Sequence, residues 1–353
     1  MGRAARVRAR SVLVIDFRYH LVSIASVFLA LAVGIVLGAG PLRGTIGDTL
    51  ASEVTRLREE TNALRADLSL AQSQVDARDE AIAELRPRSV SGVLAGSTVG
   101  LLVLPDAADG SVDTAGAVLA EAGGTVLGPI TVTEAWTSAE PPDVTARTEA
   151  AALLRELLAG ELPVGLDPER VIDLSLARAL AGAPDTGEEA QPTTPVDGGA
   201  VTDPGDPQTE TVEDSTDEEI LAILAEYGLL EVAEDADPGS AEAVVVVAPA
   251  GAASDASVVI GWVDLIGALD DAAAAVVAGD VTADSAIDTD LIAAIRDSGE
   301  LADRISTIDN LATPSGSTAV PFAATEQLGG ESGHYGEADT ASGLLPPIET
   351  PTP

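Results

Sequence analysis

The chain has 353 residues, a formal net charge of −40 and no cysteine, and all eighteen of its basic residues are arginine. The absence of cysteine excludes disulfides and cysteine-based zinc sites, and the absence of lysine excludes a P-loop and Schiff-base chemistry. Arginine in place of lysine, with abundant alanine and glycine, indicates a GC-rich, actinobacterial genome, and a halophilic source is the alternative explanation of the acidity. Because a surface this acidic repels phosphate backbones, we expect no nucleic-acid partner.

The stretch 21–40, LVSIASVFLALAVGIVLGAG, is long and apolar enough to cross a bilayer as one helix. A cleaved signal peptide has a shorter apolar core, and a buried core helix is seldom apolar on every face, so we interpret the stretch as an uncleaved signal anchor. Five arginines precede it and only Arg43 follows closely. This bias predicts a basic cytoplasmic N-terminus, residues 1–20, with the bulk of the chain extracytoplasmic. Translation from Val14 instead of Met1 would leave Arg18 and His20 to set the orientation.

Small residues recur at every fourth position of the predicted membrane helix and therefore share one face. They are Ser26, Ala30, Gly34 and Gly38. Such a stripe allows two membrane helices to approach closely, although small residues are common throughout this chain.

Apolar residues recur in alternating steps of four and three along the next segment, which predicts a coiled coil over residues 48–86, ended by Pro87. The predicted core positions are Leu50, Val54, Leu57, Leu64, Leu68, Val75, Ile82 and Leu85. β-Branched residues alternating with leucine favour a parallel two-stranded coil, so we expect a membrane-tied parallel homodimer. The alternative is one amphipathic helix that packs on its own domain.

Beyond residue 96, short apolar runs alternate with helical patterns, which predicts an α/β domain with a mainly parallel sheet and helices on both faces. The domain comprises residues 96–181 and 217–336. Residues 182–216 are acidic and rich in proline, glycine and threonine, which predicts a disordered insertion. Residues 337–353 are predicted to form a disordered tail.

Catalytic motifs are absent: the sequence has no G-x-S-x-G, no H-E-x-x-H and only two histidines, His20 and His334. We therefore expect neither an enzyme nor a bound cofactor. The weak candidates for a metal site are Asp106 and Asp280, each of which follows a predicted strand, and His334. The carboxyl ends of parallel strands form ligand sites, but turn capping is the commoner role for such aspartates.

Four segments resemble the MctB family, the actinobacterial family of copper transport outer membrane proteins. They are DFRYHLVSIASVFLALAVGIVLG (Asp16 to Gly38), LVLPDA (Leu102 to Ala107), ISTIDN (Ile305 to Asn310) and GHYG (Gly333 to Gly336). The resemblance implies a membrane-tied cell-envelope protein with a role in copper transport or copper homeostasis. The architecture alone also fits a dimeric, non-enzymatic scaffold that positions envelope partners in cell-wall assembly or cell separation.

Overall fold

The computed structural model describes residues 13–39, 41–182, 212–233, 240–251, 255–281 and 289–347. The chain divides into two compact units between Asp76 and Ala77. Most of the predicted basic N-terminus (1–12), most of the predicted insertion (183–211) and the last six residues lie outside the described residues.

The first unit contains helix α1, Leu13–Ala39, and most of helix α2, Pro41–Val90. Within α1, the 22 residues Phe17–Gly38 have a mean hydropathy of 2.6, and none of them is buried. In the part of the chain that the structure describes, this is the helix long and apolar enough to cross a membrane. Helix α1 starts before residue 21, because the polar and apolar residues between Leu13 and residue 21 continue the same helix without a break.

Helix α2 does not end at Pro87, as the sequence predicts, but continues to Val90 with the proline inside its last turn. A proline near a helix end removes only one hydrogen bond of the helix, so its cost there is limited. Val90 is fully buried, and the next turn buries Leu94 beside it. Burial of these side chains outweighs the local preference of proline.

The second unit is built on a seven-stranded sheet in which every neighbouring pair is parallel except the pair of β2 and β3. The strand order is β3-β2-β1-β4-β5-β6-β7. The strands are β1 Thr98–Val103, β2 Thr125–Val132, β3 Leu230–Val232, β4 Ala243–Val247, β5 Ala274–Ala278, β6 Ser306–Ile308 and β7 His334–Tyr335. The predicted mainly parallel sheet is therefore confirmed.

Helices cover both faces of this sheet, as predicted. They are α3 Asp109–Glu121, α4 Pro141–Leu157, α5 Pro168–Ala181, α6 Val212–Glu226, α7 Ala256–Asp270, α8 Leu291–Asp297 and α9 Pro314–Leu328, with a 3-10 turn at Glu134–Trp136. Alternate residues of the strands enter two separate cores. Val245 and Val247 pack with α3 and α9, whereas Val244 and Val246 pack with α4 to α8.

Parts of two segments that the sequence predicts to be disordered have regular structure. Helix α6 begins at Val212, inside the predicted insertion 182–216, because its apolar face enters the core. The predicted tail is described as far as residue 347 and pairs with β7. There the amide of Ser342 donates to the carbonyl of His334 at 2.7 Å, and the amide of Gly336 donates to the carbonyl of Gly343 at 2.9 Å.

Candidate functional site

The sheet has a topological switch point between β1 and β4, because the chain leaves β1 for β2 on one side and reaches β4 on the other. In open parallel sheets, ligands bind outside the carboxyl ends of the strands at such a point. A crevice of about 460 Å³ lies there, and we call it the switch-point crevice. Its lining residues include Pro105, Asp106, Glu134, Ser138, Pro249 and Trp262.

Asp106 occupies the rim of this crevice in a left-handed backbone conformation, with φ of 63°. Such a conformation is uncommon for residues other than glycine, although aspartate tolerates it better than most. Its exposed side chain also lines a second crevice of about 380 Å³, which holds three further carboxylates. These are Asp109, Asp113 and Glu231. Even so, no group of three or more acidic or histidine side chains within the described ranges is arranged to hold a metal ion.

Asp280 connects two loops at the same edge of the sheet and lines neither crevice. One carboxylate oxygen accepts the backbone amide of Ala312 at 2.8 Å, and the other accepts the hydroxyl of Ser111 at 3.4 Å. Its carbonyl accepts the amide of Gly251 at 3.3 Å. These bonds hold the loop after β6 and the start of α3 against β5. Asp280 therefore has the turn-stabilising role that is common for an aspartate after a strand.

His334 lies in β7, where its Nδ1 is 2.9 Å from the hydroxyl of Thr307 in β6. Burial lowers the pKa of His334, and the nearby Arg296 guanidinium lowers it further. The ring is therefore neutral at physiological pH. The same Thr307 hydroxyl accepts Nε of Arg296 at 2.8 Å, so His334 belongs to a hydrogen-bond network inside the domain.

The centre of this network is an ion pair between Arg296 of α8 and Asp309, which follows β6. The two side chains are 3% and 2% exposed, and Nη1 lies 2.7 Å from Oδ2. Arg296 also donates to the carbonyl of Tyr335 at 3.0 Å, and Asp309 accepts the amide of Glu337 at 2.7 Å. The pair therefore joins α8, β6, β7 and the segment after β7.

The segments ISTIDN and GHYG thus meet at neighbouring strands and support each other. Ser306 accepts the amide of Gly333 at 3.2 Å, and the hydroxyl of Tyr335 donates to Glu326 of α9 at 2.6 Å. At Gly336 (φ 131°) a side-chain carbon would lie only 2.0 Å from Asp309 Oδ1, so only glycine fits. Sequence reasoning missed Arg296, although a lone arginine at the end of the apolar run LIAAIR is a visible signal of an internal ion pair.

The predicted contact residues of the helical segments other than Ile82 remain exposed in the single chain. No heavy atom lies within 4 Å of a side-chain carbon built on Gly34 or Gly38. Leu50 and Leu64 are 66% and 63% exposed, whereas Ile82 is half-buried.

Comparison with known proteins adds a family. The family model described as copper transport outer membrane protein, MctB, matches residues 14–346 of this chain. The copper transporter MctB of Mycobacterium tuberculosis (strain ATCC 25618 / H37Rv) is 29% identical over 338 residues, which cover 91% of this chain and 96% of the relative. The copper transporter MctB of Mycobacterium bovis matches to the same extent. The copper transporter MctB of Mycobacterium leprae is 34% identical over 125 residues, 35% of this chain and 39% of the relative.

Proposed function

Because the chain belongs to the MctB family of copper transport outer membrane proteins, we propose that it is a membrane-anchored envelope protein with a role in copper transport or homeostasis. The observation that carries the proposal is the family match, which spans both the apolar helix and the α/β domain. The relatives named copper transporter MctB also support it, because they match this chain over 96% of their own length.

Helix α1 supplies the anchor in this proposal. Its 22-residue apolar span is exposed along its length, as a helix covered by lipid requires. The arginines before it orient the N-terminus to the cytoplasm, so the α/β domain lies outside the cell membrane. The mature protein extracted from membranes should then keep residues 21–40. The mass of the intact protein shows whether these residues are present.

The α/β domain takes part in copper handling without a tight copper site of its own. Cu(I) prefers thiolate and thioether ligands, and this chain has no cysteine and one methionine, at position 1. His334, the histidine of the domain, already bonds to Thr307 inside the protein. We infer that carboxylate-lined crevices hold ions weakly and that partners of the envelope bring the soft ligands.

The deciding experiment measures copper tolerance in a strain from which the gene is deleted. We expect the deletion to raise copper sensitivity, and the full-length chain to restore tolerance. A matched complementation with Asp106→Asn tests whether the switch-point crevice contributes, and zinc tolerance serves as the control. Unchanged copper tolerance in the deletion strain would contradict the proposal.

A second candidate, a dimeric envelope scaffold without enzymatic activity, is favoured by the exposed apolar stripe of α2. Leu57 and Leu68 are 52% and 59% exposed, and such a stripe on a long helix normally has a partner. A second copy of the same helix is the partner that the heptad pattern fits. Defects in cell separation with normal copper tolerance would favour this candidate.

A further inference from the structure

A third cavity lies beside the 3-10 turn, among helices α4, α5 and α7. It has a volume of about 210 Å³, and we call it the Asp173 cavity. Its lining includes Trp136, Arg147, Glu169, Asp173, Ile260 and Asp264. Neither the description of the family nor the names of the relatives assign a role to this cavity. Room of this size suffices for a small organic molecule or several waters.

The floor of the cavity combines a buried guanidinium cation with a buried carboxyl group. Arg147 is 5% exposed, and its Nη1 donates to the carbonyls of Ala135 and Ser138 at 2.7 and 2.8 Å. These two bonds fix the guanidinium, yet its buried Nε forms no hydrogen bond, because the nearest carboxylate, Glu169, stays at the ion-pair distance of 3.5 Å. A buried donor without an acceptor is costly, so the floor presents a site for an acceptor atom.

Asp173, 3% exposed, presents the opposite chemistry. One carboxylate oxygen accepts the indole N–H of Trp136 at 3.0 Å. Among the described groups, no cation forms an ion pair with Asp173 within 4.0 Å, whereas Glu169 lies 3.5 Å from Nε of Arg147. Burial raises the pKa of Asp173 to about 7, although the Trp136 hydrogen bond and the charge of Arg170 oppose that rise. A buried carboxylate that lacks a counter-ion is a binding group for a cation.

The mouth of the cavity is acidic and partly apolar. Glu169 is one helical turn from Asp173 on the same face of α5, and Asp264 and the exposed Ile260 come from α7. The charged groups that face Asp173 from the helices around it are Arg147, Asp167, Glu169, Arg170 and Asp264. The lining itself contains three acidic side chains, Glu169, Asp173 and Asp264, against the one guanidinium of Arg147, so it attracts a cation and repels an anion.

We propose that the Asp173 cavity binds a small organic cation that also carries a hydrogen-bond acceptor. The acceptor takes the Nε–H of Arg147, which the Glu169 carboxylate approaches only to 3.5 Å, and the cationic group pairs with Asp173 and the carboxylates at the mouth. An aminoacyl amide is the simplest such molecule, because it has one carbonyl oxygen and one ammonium group within a few bonds. Glycinamide is therefore the probe.

The chain contains two tryptophans, Trp136 and Trp262, and this allows a site-specific measurement. Trp136 bonds to Asp173, whereas Trp262 lines the neighbouring switch-point crevice. Full-length protein labelled with ¹⁵N-tryptophan, in detergent, gives one indole signal from each, and Trp262→Phe assigns them. We expect millimolar glycinamide to shift the Trp136 signal in a saturable way and to leave the Trp262 signal in place.

Matched compounds and variants separate the two binding groups. Ethylamine lacks the acceptor, acetamide lacks the charge and acetate carries the opposite charge, so each should bind more weakly than glycinamide. Asp173→Asn keeps the side-chain shape but removes the charge, and should weaken glycinamide binding by about tenfold or more. Glu156→Gln also removes one negative charge, but at an exposed position of α4, and should leave binding unchanged.

The pH dependence gives a second readout that does not depend on a variant. Glycinamide affinity should rise between about pH 6 and about pH 7, because Asp173 must lose its proton to pair with the cation, and should fall above about pH 8, where the amino group of the probe loses its charge. No saturable shift of Trp136, equal binding by Asp173→Asn at about pH 7.5, where both Asp173 and most of the probe are charged, or an equal response to acetate would each overturn the proposal. A shift confined to Trp262 would assign the ligand to the switch-point crevice and would overturn it as well.

Discussion

Arg296 and Asp309 form a buried ion pair that the segments ISTIDN and GHYG surround. Removal of one partner from such a pair leaves an uncompensated buried charge, which typically costs about 3–5 kcal/mol. The pair also carries the bonds to Thr307, Tyr335 and Glu337, so its loss disconnects β7. These side chains therefore serve the fold of the domain.

We expect Asp309→Ala to lower the free energy of unfolding by about 3–5 kcal/mol, measured by chemical denaturation of the full chain in detergent. The double variant Arg296→Met/Asp309→Leu removes both charges and should be less destabilised than the single one. Arg56→Met, on the exposed face of α2, should cost less than about 1 kcal/mol although Arg56 also pairs with a glutamate. Equal loss in Asp309→Ala and Arg56→Met would show that the buried pair is not critical.

Asp173 predicts a pH dependence of stability with a definite sign. Its pKa is about 7 in the folded chain and 3.8 ordinarily, so the folded state holds a proton that the unfolded state has released between these values. Folding therefore becomes less favourable as pH rises from about 4 to about 7 on account of this group. Asp173→Asn should remove that contribution, so the variant gains stability relative to the parent protein as the pH is raised.

Thermal unfolding at pH 5 and pH 8 measures this effect. Glu156→Gln, exposed on the neighbouring helix, is the control and should differ from the parent protein by the same small amount at both pH values. If Asp173→Asn changes the midpoint equally at both pH values, Asp173 does not titrate in the expected range.

The α2 stripe supports a prediction about helix pairing. Leu64 lies at a core position of the heptads, whereas Ala66, two residues later, lies on the opposite face of the helix. Because the chain has no native cysteine, Leu64→Cys should form disulfide-linked dimers under mild oxidation in membranes, and Ala66→Cys should form few. Equal cross-linking at both positions, or none, would contradict a parallel coiled coil.

Elements with strong patterns were predictable from the sequence, and those made by tertiary contacts were not. The run TVLGPITV predicts a strand over residues 125–132, and strand β2 has these bounds, because its β-branched residues and the preceding Gly123 and Gly124 define it locally. The sequence pattern predicts a last short helix over residues 320–328, but helix α9 begins at Pro314, because Thr313 caps it by accepting the amide of Gly316. The two-residue strand β7 carries no periodicity, and its pairing depends on the Asp309 network.

The candidate site was predictable only in part, for the same reason. The position of Asp106 after a strand predicts a place at the carboxyl edge, and the structure puts it at the switch-point crevice. The partner expected for it, Asp280, bonds instead to Ser111 and Ala312, which are distant in sequence. The Asp173 cavity joins three helices, so nothing local in the sequence marks it.

For the molecule as a whole, the donor inventory predicts weak copper binding. The full chain in detergent should show no stoichiometric site of sub-micromolar affinity for Cu(I) or Cu(II) in titrations against a competing chelator. Cysteine is absent, and the two histidines, His20 and His334, fall in different units. A tight site that His334→Ala abolishes would contradict this expectation and would assign copper directly to the GHYG segment.

The two edges of the sheet limit how α/β domains can associate. At one edge β3 contributes three residues in the antiparallel direction, and at the other β7 contributes two, which residues 336–343 already cover. Long open edges promote strand exchange and fibril growth, whereas short or covered edges resist both. The α/β domain is thereby protected from aggregation through its sheet, even where many copies are crowded together.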